Sequence, residues 1–149
     1  MKKVFFTIIV GVLFFTACKK EPEQSCGTCP VGGSTTPANG FSYIKNGGTP
    51  IYADSAFYNA TYRTITSYHN GIASRVNIKT TSQAPGTYSL TTPGNTISYT
   101  ETSFTYMASG GSVIITSSAN NKLSGNFVSN GSGGGIITLT GQFTNIPLK

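Results

Sequence analysis

Thr64-Ile65-Thr66-Ser67-Tyr68-His69-Asn70-Gly71-Ile72-Ala73-Ser74-Arg75-Val76-Asn77-Ile78-Lys79 is the stretch that decides the fold. On both sides of Asn70-Gly71 apolar and polar residues alternate with a period of two, the pattern of a strand with one buried face. Asn and Gly both tolerate positive φ, so the pair favours a two-residue type I′ hairpin. In that register His69 opposes Ile72, Ser67 opposes Ser74, Ile65 opposes Val76 and Arg63 opposes Ile78, on a face that reads as core. The other face carries Tyr62, Tyr68, Arg75 and Lys79, polar-tipped and partly aromatic, and these four form a candidate ligand-facing strip.

The same period continues outward. Tyr88 and Leu90, Ile97 and Tyr99, and Phe104 and Tyr106 each alternate with polar neighbours, and no stretch shows a helical period. Turn signals separate these runs at Asn46-Gly47-Gly48, Pro93-Gly94, Ser109-Gly110-Gly111, Asn120-Asn121 and Asn130-Gly131. Such spacing predicts an antiparallel β-sandwich over residues 41–149, with a closed or partly open lipocalin-like β-barrel as the alternative. A second hairpin closes the chain, with Leu123, Gly125 and Phe127 on one arm and Ile137, Leu139 and Phe143 on the other. Its glycine-rich turn is not a phosphate loop, since no Lys-Ser/Thr follows and no helix begins there.

The combination of Gly86-Thr-Tyr-Ser-Leu90, Leu123-Ser-Gly-Asn-Phe127 and Ile137-Thr-Leu-Thr-Gly-Gln-Phe-Thr-Asn-Ile-Pro147 resembles a family of small uncharacterised lipoproteins of Bacteroidota. The resemblance implies an all-β domain of unknown role and transfers no site residues. The start of the chain agrees with it. Lys2 and Lys3 precede an apolar run of 14 residues from Val4 to Ala17, and Phe15-Thr16-Ala17-Cys18 ends it with small residues before a cysteine. That pattern reads as a cleavable export signal over residues 1–17, too short for the roughly 20 residues of a membrane-spanning helix. It resembles a bacterial lipoprotein signal, which implies a diacylglyceryl group and an acylated amine on Cys18. Two or more acyl chains anchor a protein stably without a span.

Residues 18–40 have no periodic apolar pattern and are punctuated by Pro22, Pro30 and Pro37. They read as a tether with an end-to-end distance of roughly 25–30 Å as a flexible coil. Its Lys-Lys-Glu-Pro-Glu start is similar to the leaders of outer-membrane and surface lipoproteins in Bacteroidota, which leaves periplasmic and cell-surface exposure both open. Cys26-Gly27-Thr28-Cys29 has the spacing of a redox motif, but no strand precedes it and Pro30 follows, so no helix is there to lower a thiol pKa. A local disulfide between Cys26 and Cys29 is the expectation for an oxidising compartment. With one histidine in the chain, no metal site is expected.

The whole chain carries 10 Lys+Arg against 4 Asp+Glu, and losing Lys2 and Lys3 leaves 8 against 4, or +4. The bases are scattered in sequence, unlike a nucleic-acid footprint, so no nucleic-acid partner is expected. In the 41–149 domain the carboxylates are Asp54 and Glu101. A two-carboxylate glycosidase would need that one pair, and a serine triad would need His69 with one of them and a nucleophile elbow that is absent. The reading is therefore a non-catalytic binding or structural domain of the cell envelope, without cofactor, tethered to the outer membrane and contacting a glycan, peptide or envelope protein. A barrel-cavity carrier is the alternative, and a hydrolase ranks lower. Asp54-Ser55-Ala56 resembles the short motif at which exported Bacteroidota proteins receive O-linked glycans, which implies Ser55 as an acceptor.

Overall fold

The computed structural model describes residues 40–149. The expected signal segment, Cys18, the tether up to residue 39 and the Cys26–Cys29 pair lie outside the described residues. Ten strands follow one another: β1 (Gly40–Lys45), β2 (Ile51–Tyr52), β3 (Ser55–Asn59), β4 (Thr64–His69), β5 (Ser74–Lys79), β6 (Gly86–Ser89), β7 (Thr96–Glu101), β8 (Phe104–Ala119), β9 (Lys122–Ser132) and β10 (Thr138–Pro147). The spatial order is β2-β1-β10-β9-β8-β7-β5-β4-β3, with β6 also paired to β8, and every ladder is antiparallel. The domain is all-β as the alternation predicts. Of the two expected architectures it takes the partly open barrel, one sheet curled into a half-barrel.

Connectivity explains the curl. β2 and β3 are the two edges of the sheet, yet only Ala53 and Asp54 separate them in the chain. The two edges must therefore come together. The Ala53 N–H donates to the Phe41 carbonyl on β1 at 2.9 Å, and the Asp54 N–H donates to the Tyr68 carbonyl on β4 at 2.8 Å. At the far end of β3 the Lys149 N–H donates to the Tyr58 carbonyl at 2.8 Å, beside a bridge between Tyr58 and Leu148. These links cover edge groups that would otherwise be free to pair with another chain.

The inner face is filled. Phe41, Tyr43, Ile65, Val76, Ile78, Ile97, Tyr99, Tyr106, Val113, Ile115, Leu123, Phe127, Leu139, Phe143 and Ile146 are all buried in one cluster. A cluster of phenylalanines lies across β1, β9 and β10. Phe127 on β9 opposes Gly141 on β10, and Phe143 on β10 opposes Gly125 on β9. Each ring lies over the neighbouring strand's glycine: a Cβ on Gly141 would stand 2.6 Å from the Phe127 ring and 2.3 Å from the Ser42 carbonyl, and one on Gly125 would stand 2.6 Å from Phe143. Phe41 stacks on both rings, with centroids 5.7 Å from Phe127 and 6.5 Å from Phe143. Glycines at such positions let a sheet bend sharply while aromatic rings cover the exposed backbone.

The buried hydroxyls of Ser129 and Tyr106 are satisfied within this core. The Ser129 hydroxyl donates to the Leu139 carbonyl at 2.9 Å, which leaves its oxygen to accept from the Tyr106 hydroxyl at 3.1 Å. The Asn46 side chain joins two loops, donating to the Gly135 carbonyl and accepting from the Ile137 and Thr138 amides.

Three turn readings are corrected, and the first is Asn130-Gly131, which lies inside β9, where Asn130 pairs with Thr138 and Gly131 with Ala108. The β4–β5 connection is four residues, Asn70 to Ala73, so Ile65 opposes Ile78, Ser67 opposes Val76 and Tyr68 opposes Arg75, two residues from the expected register. A slip of two keeps every side chain on its face, so alternation cannot detect it. The expected burial of Ile65, Val76 and Ile78 accordingly holds. The longer turn is held from outside the hairpin, where the Gly71 N–H donates to Asp54 Oδ2 at 3.1 Å. The two-residue turn occurs instead at Asn120-Asn121, both with positive φ, between the paired Ala119 and Lys122. Ser109-Gly110-Gly111 is not a turn but an irregularity inside the 16-residue β8, where the pairing to β9 shifts register after Ala108.

Gly141→Ala forces a methyl into the Phe127 ring and the β1 backbone and should destabilise the domain by about 2–3 kcal/mol. Urea unfolding followed by tyrosine fluorescence measures this as a lower midpoint at unchanged slope.

Candidate functional site

Strand directions divide the half-barrel into two rims. Residues 46–50, 70–73, 102–103 and 133–137 form the upper rim, and residues 60–63, 80–85, 91–95 and 120–121 form the lower. The outer face joins them. Across it runs one row of directly paired residues, Ser55 on β3, Tyr68 on β4, Arg75 on β5, Thr100 on β7 and Thr105 on β8. Sheet pairing thus places an aromatic ring, a guanidinium and hydroxyls side by side.

Beside this row, toward the upper rim, lies a hollow of about 630 Å³, lined by Tyr68, Ile72, Ala73, Arg75 and residues 100–102. Ile72 stands on the tip of the β4–β5 turn, 87% exposed. Phe57 on β3 extends the aromatic surface, its ring centroid 6.3 Å from that of Tyr68, and the Lys149 ammonium sits 4.8 Å over the Phe57 ring. Neither Phe57 nor Lys149 belongs to the strip expected from the sequence. Phe57 carries the alternating signal of β3, but the pairing of β3 with β4 that brings it beside Tyr68 has no local sequence mark.

The four-residue strip divides in two. Tyr68 and Arg75 face each other and line the upper hollow. Tyr62, in the β3–β4 turn, and Lys79, at the end of β5, instead border a hollow of about 350 Å³ at the lower rim together with Arg63. Arg75 and Lys79 are four strand residues apart, roughly 13 Å at 3.3 Å per residue. Ser55, the expected glycan acceptor, is exposed at the start of β3 and pairs with Tyr68.

Glu101 borders the upper hollow, and its carboxylate belongs to a network on the inner side. It accepts from Lys45 Nζ at 3.1 Å and from the Tyr99 hydroxyl, and Lys45 also lies 5.1 Å from the centroid of the Tyr99 ring. Tyr43 packs on Tyr99 with centroids 5.5 Å apart. The Tyr99 hydrogen bond, with Lys45 behind it, holds the Glu101 carboxyl below the usual carboxylate range in spite of its burial. Burial, then the bond donated to Glu101, pushes the Tyr99 hydroxyl up, and burial next to Tyr99 raises Tyr43 well above an ordinary tyrosine. Such a network fixes the Glu101 carboxylate in one position on the inner side of the rim.

The other acid–base residues serve the turn. His69 Nδ1 is 2.9 Å from the Tyr52 carbonyl, which can only accept, so the proton sits on Nδ1. Asp54 Oδ1 is 3.9 Å from the same nitrogen, and its second oxygen holds the Gly71 amide. Asp54 and Glu101 thus belong to two different arrangements, one outside the β4–β5 turn and one at the Lys45–Tyr99 pair. Among the described residues no group of three or more His, Cys, Asp or Glu could hold a metal ion.

Fold and surface together define an all-β curled-sheet domain whose polar chemistry lies on its rims and outer face. Residues 51–147 match the family described as Domain of unknown function (DUF6252), and the chain belongs to that family. No curated protein and no solved structure matches the chain.

A carboxyl held below its ordinary value stabilises the fold above the unfolded carboxyl range and loses that contribution as pH falls through its folded value. Glu101→Gln should therefore narrow the gap between unfolding free energies at pH 7 and pH 3. Paired urea titrations at the two pH values check this, and an unchanged gap would contradict the role given to Lys45 and Tyr99.

Proposed function

We propose that this chain is an envelope lipoprotein, held at the outer membrane by acyl chains on Cys18, that presents a non-catalytic glycan-binding face. The observation that carries the binding half of this reading is the upper hollow. Tyr68 supplies a flat apolar surface ending in a hydroxyl, Arg75 a planar donor beside it, and Thr100 a hydroxyl in the same row. Stacking area flanked by oriented donors and acceptors suits a sugar ring, which has an apolar face and an equatorial belt of hydroxyls. A filled inner face favours surface binding over carriage of a ligand inside the sheet.

The anchor half rests on the Lys2-Lys3 start, the apolar run from Val4 and the Thr16-Ala17-Cys18 close. Among the described residues no helix is long and apolar enough to cross a membrane. In the native host, Cys18→Ser should abolish labelled palmitate incorporation and release the chain from the membrane fraction. Unaltered labelling would overturn the anchor.

A glycan array probed with the mature chain tests the binding face. Tyr68→Ala and Arg75→Ala should each weaken the captured glycan by roughly tenfold, the usual effect of truncating an aromatic or arginine anchor, without lowering the melting temperature. Equal binding by the parent and both variants would remove this face from the reading.

A further inference from the structure

The lower rim carries a second surface of different chemistry. Arg63 sits in the β3–β4 turn with a left-handed φ of 53°, its guanidinium donating to the Thr81 carbonyl and its own carbonyl accepting from the Thr80 amide at 3.1 Å. These bonds tie it beside Lys79. Arg63, Lys79 and Tyr62 line one hollow; Arg63 and Gln83 line the next; Gln83 and Lys122 line a third. The three cations therefore form one continuous band, all exposed. No carboxylate side chain interrupts it, because Asp54 and Glu101, the two acids among the described residues, are both at the upper rim.

The polypeptide enters the sheet at this same end. Gly40, the first residue of β1, pairs with Thr144, close to the pairing of Pro147 with Lys122. We infer that the lower rim is a membrane-facing surface, in which Arg63, Lys79 and Lys122 engage anionic lipid headgroups and Tyr62 enters the interface. Tyr62 is 69% exposed among these cations, and an aromatic ring with a polar tip is favoured at headgroup depth. Near an anionic bilayer each Lys or Arg strengthens binding by about fivefold, and the attraction fades beyond a Debye length. Docked in this way, the domain points its upper hollow away from the bilayer. The inference deepens the anchored reading but uses no acyl chain, so the two can fail separately.

The test uses the mature full chain with Cys18→Ser, which cannot be acylated. Sedimentation with phosphatidylglycerol vesicles should show binding that falls with added salt, and phosphatidylcholine vesicles should show little. The triple variant Arg63→Gln, Lys79→Gln, Lys122→Gln should lose about 100-fold. The chain has no tryptophan, so Tyr62→Trp and Ile72→Trp each install a single reporter, one per rim. Emission from position 62 should shift to the blue and be quenched by brominated lipid, while emission from position 72 stays solvent-like. Equal binding to both lipids, a triple variant that binds like its parent, or a shift at position 72 alone would overturn the inference, whatever palmitate labelling shows for Cys18.

Discussion

Two phenylalanine rings packed against two glycines set the shape on which everything else depends. Phe127 covers Gly141 and Phe143 covers Gly125, with Phe41 stacked against both. A side chain at either glycine would lift the ring and separate β10 from its neighbours. With hydrogen there instead, β1, β9 and β10 bend tightly enough for the two-residue link Ala53-Asp54 to join the sheet's edges. The curl buries the inner alternation of every long strand and turns the outer alternation into a continuous surface.

That surface is asymmetric. The upper rim holds both acids, each already engaged, and a hollow in which Tyr68, Arg75 and Glu101 come from three adjacent strands. The lower rim holds Arg63, Lys79, Lys122 and Tyr62. A molecule with a ligand face at one end and a positive face at the other suits attachment at a negatively charged surface, and the entry of the chain at the lower rim is consistent with that polarity. The same half-barrel thus serves two proposed contacts without using its interior, where side chains fill the space that a carrier would need.

How much of this is legible in the sequence follows from the range of each signal. Alternation is local, and it correctly assigns Ile65, Val76, Ile78, Ile97, Tyr99 and Tyr106 to buried strand positions. The hairpin register is not local: Asp54, seventeen residues before Gly71, holds the four-residue turn, and a two-residue slip leaves the alternation intact. Half-barrel and sandwich share one strand pattern, and what separates them is the pairing of β2 and β3 at opposite edges, which two short strands do not announce. The strip expected on the β4–β5 hairpin lies on the outer face, but Phe57 joins it only through pairing with β4, and Tyr62 with Lys79 belongs to the other rim. Lys79, Arg63 and Lys122 look dispersed along the chain and become neighbours only when the loops of the lower rim meet.

The measurement closest to the central claim is the proton chemical shift of the two glycine α-methylenes, assigned by NMR in the folded chain. A proton packed against an aromatic ring is displaced by the ring current, so Gly125 and Gly141 should each show an α-proton well away from that of glycine in an unstructured peptide, and both should return on unfolding in urea. Random-coil shifts for these glycines in the folded protein would mean that the rings do not lie over them, and the curled sheet would lose its physical basis.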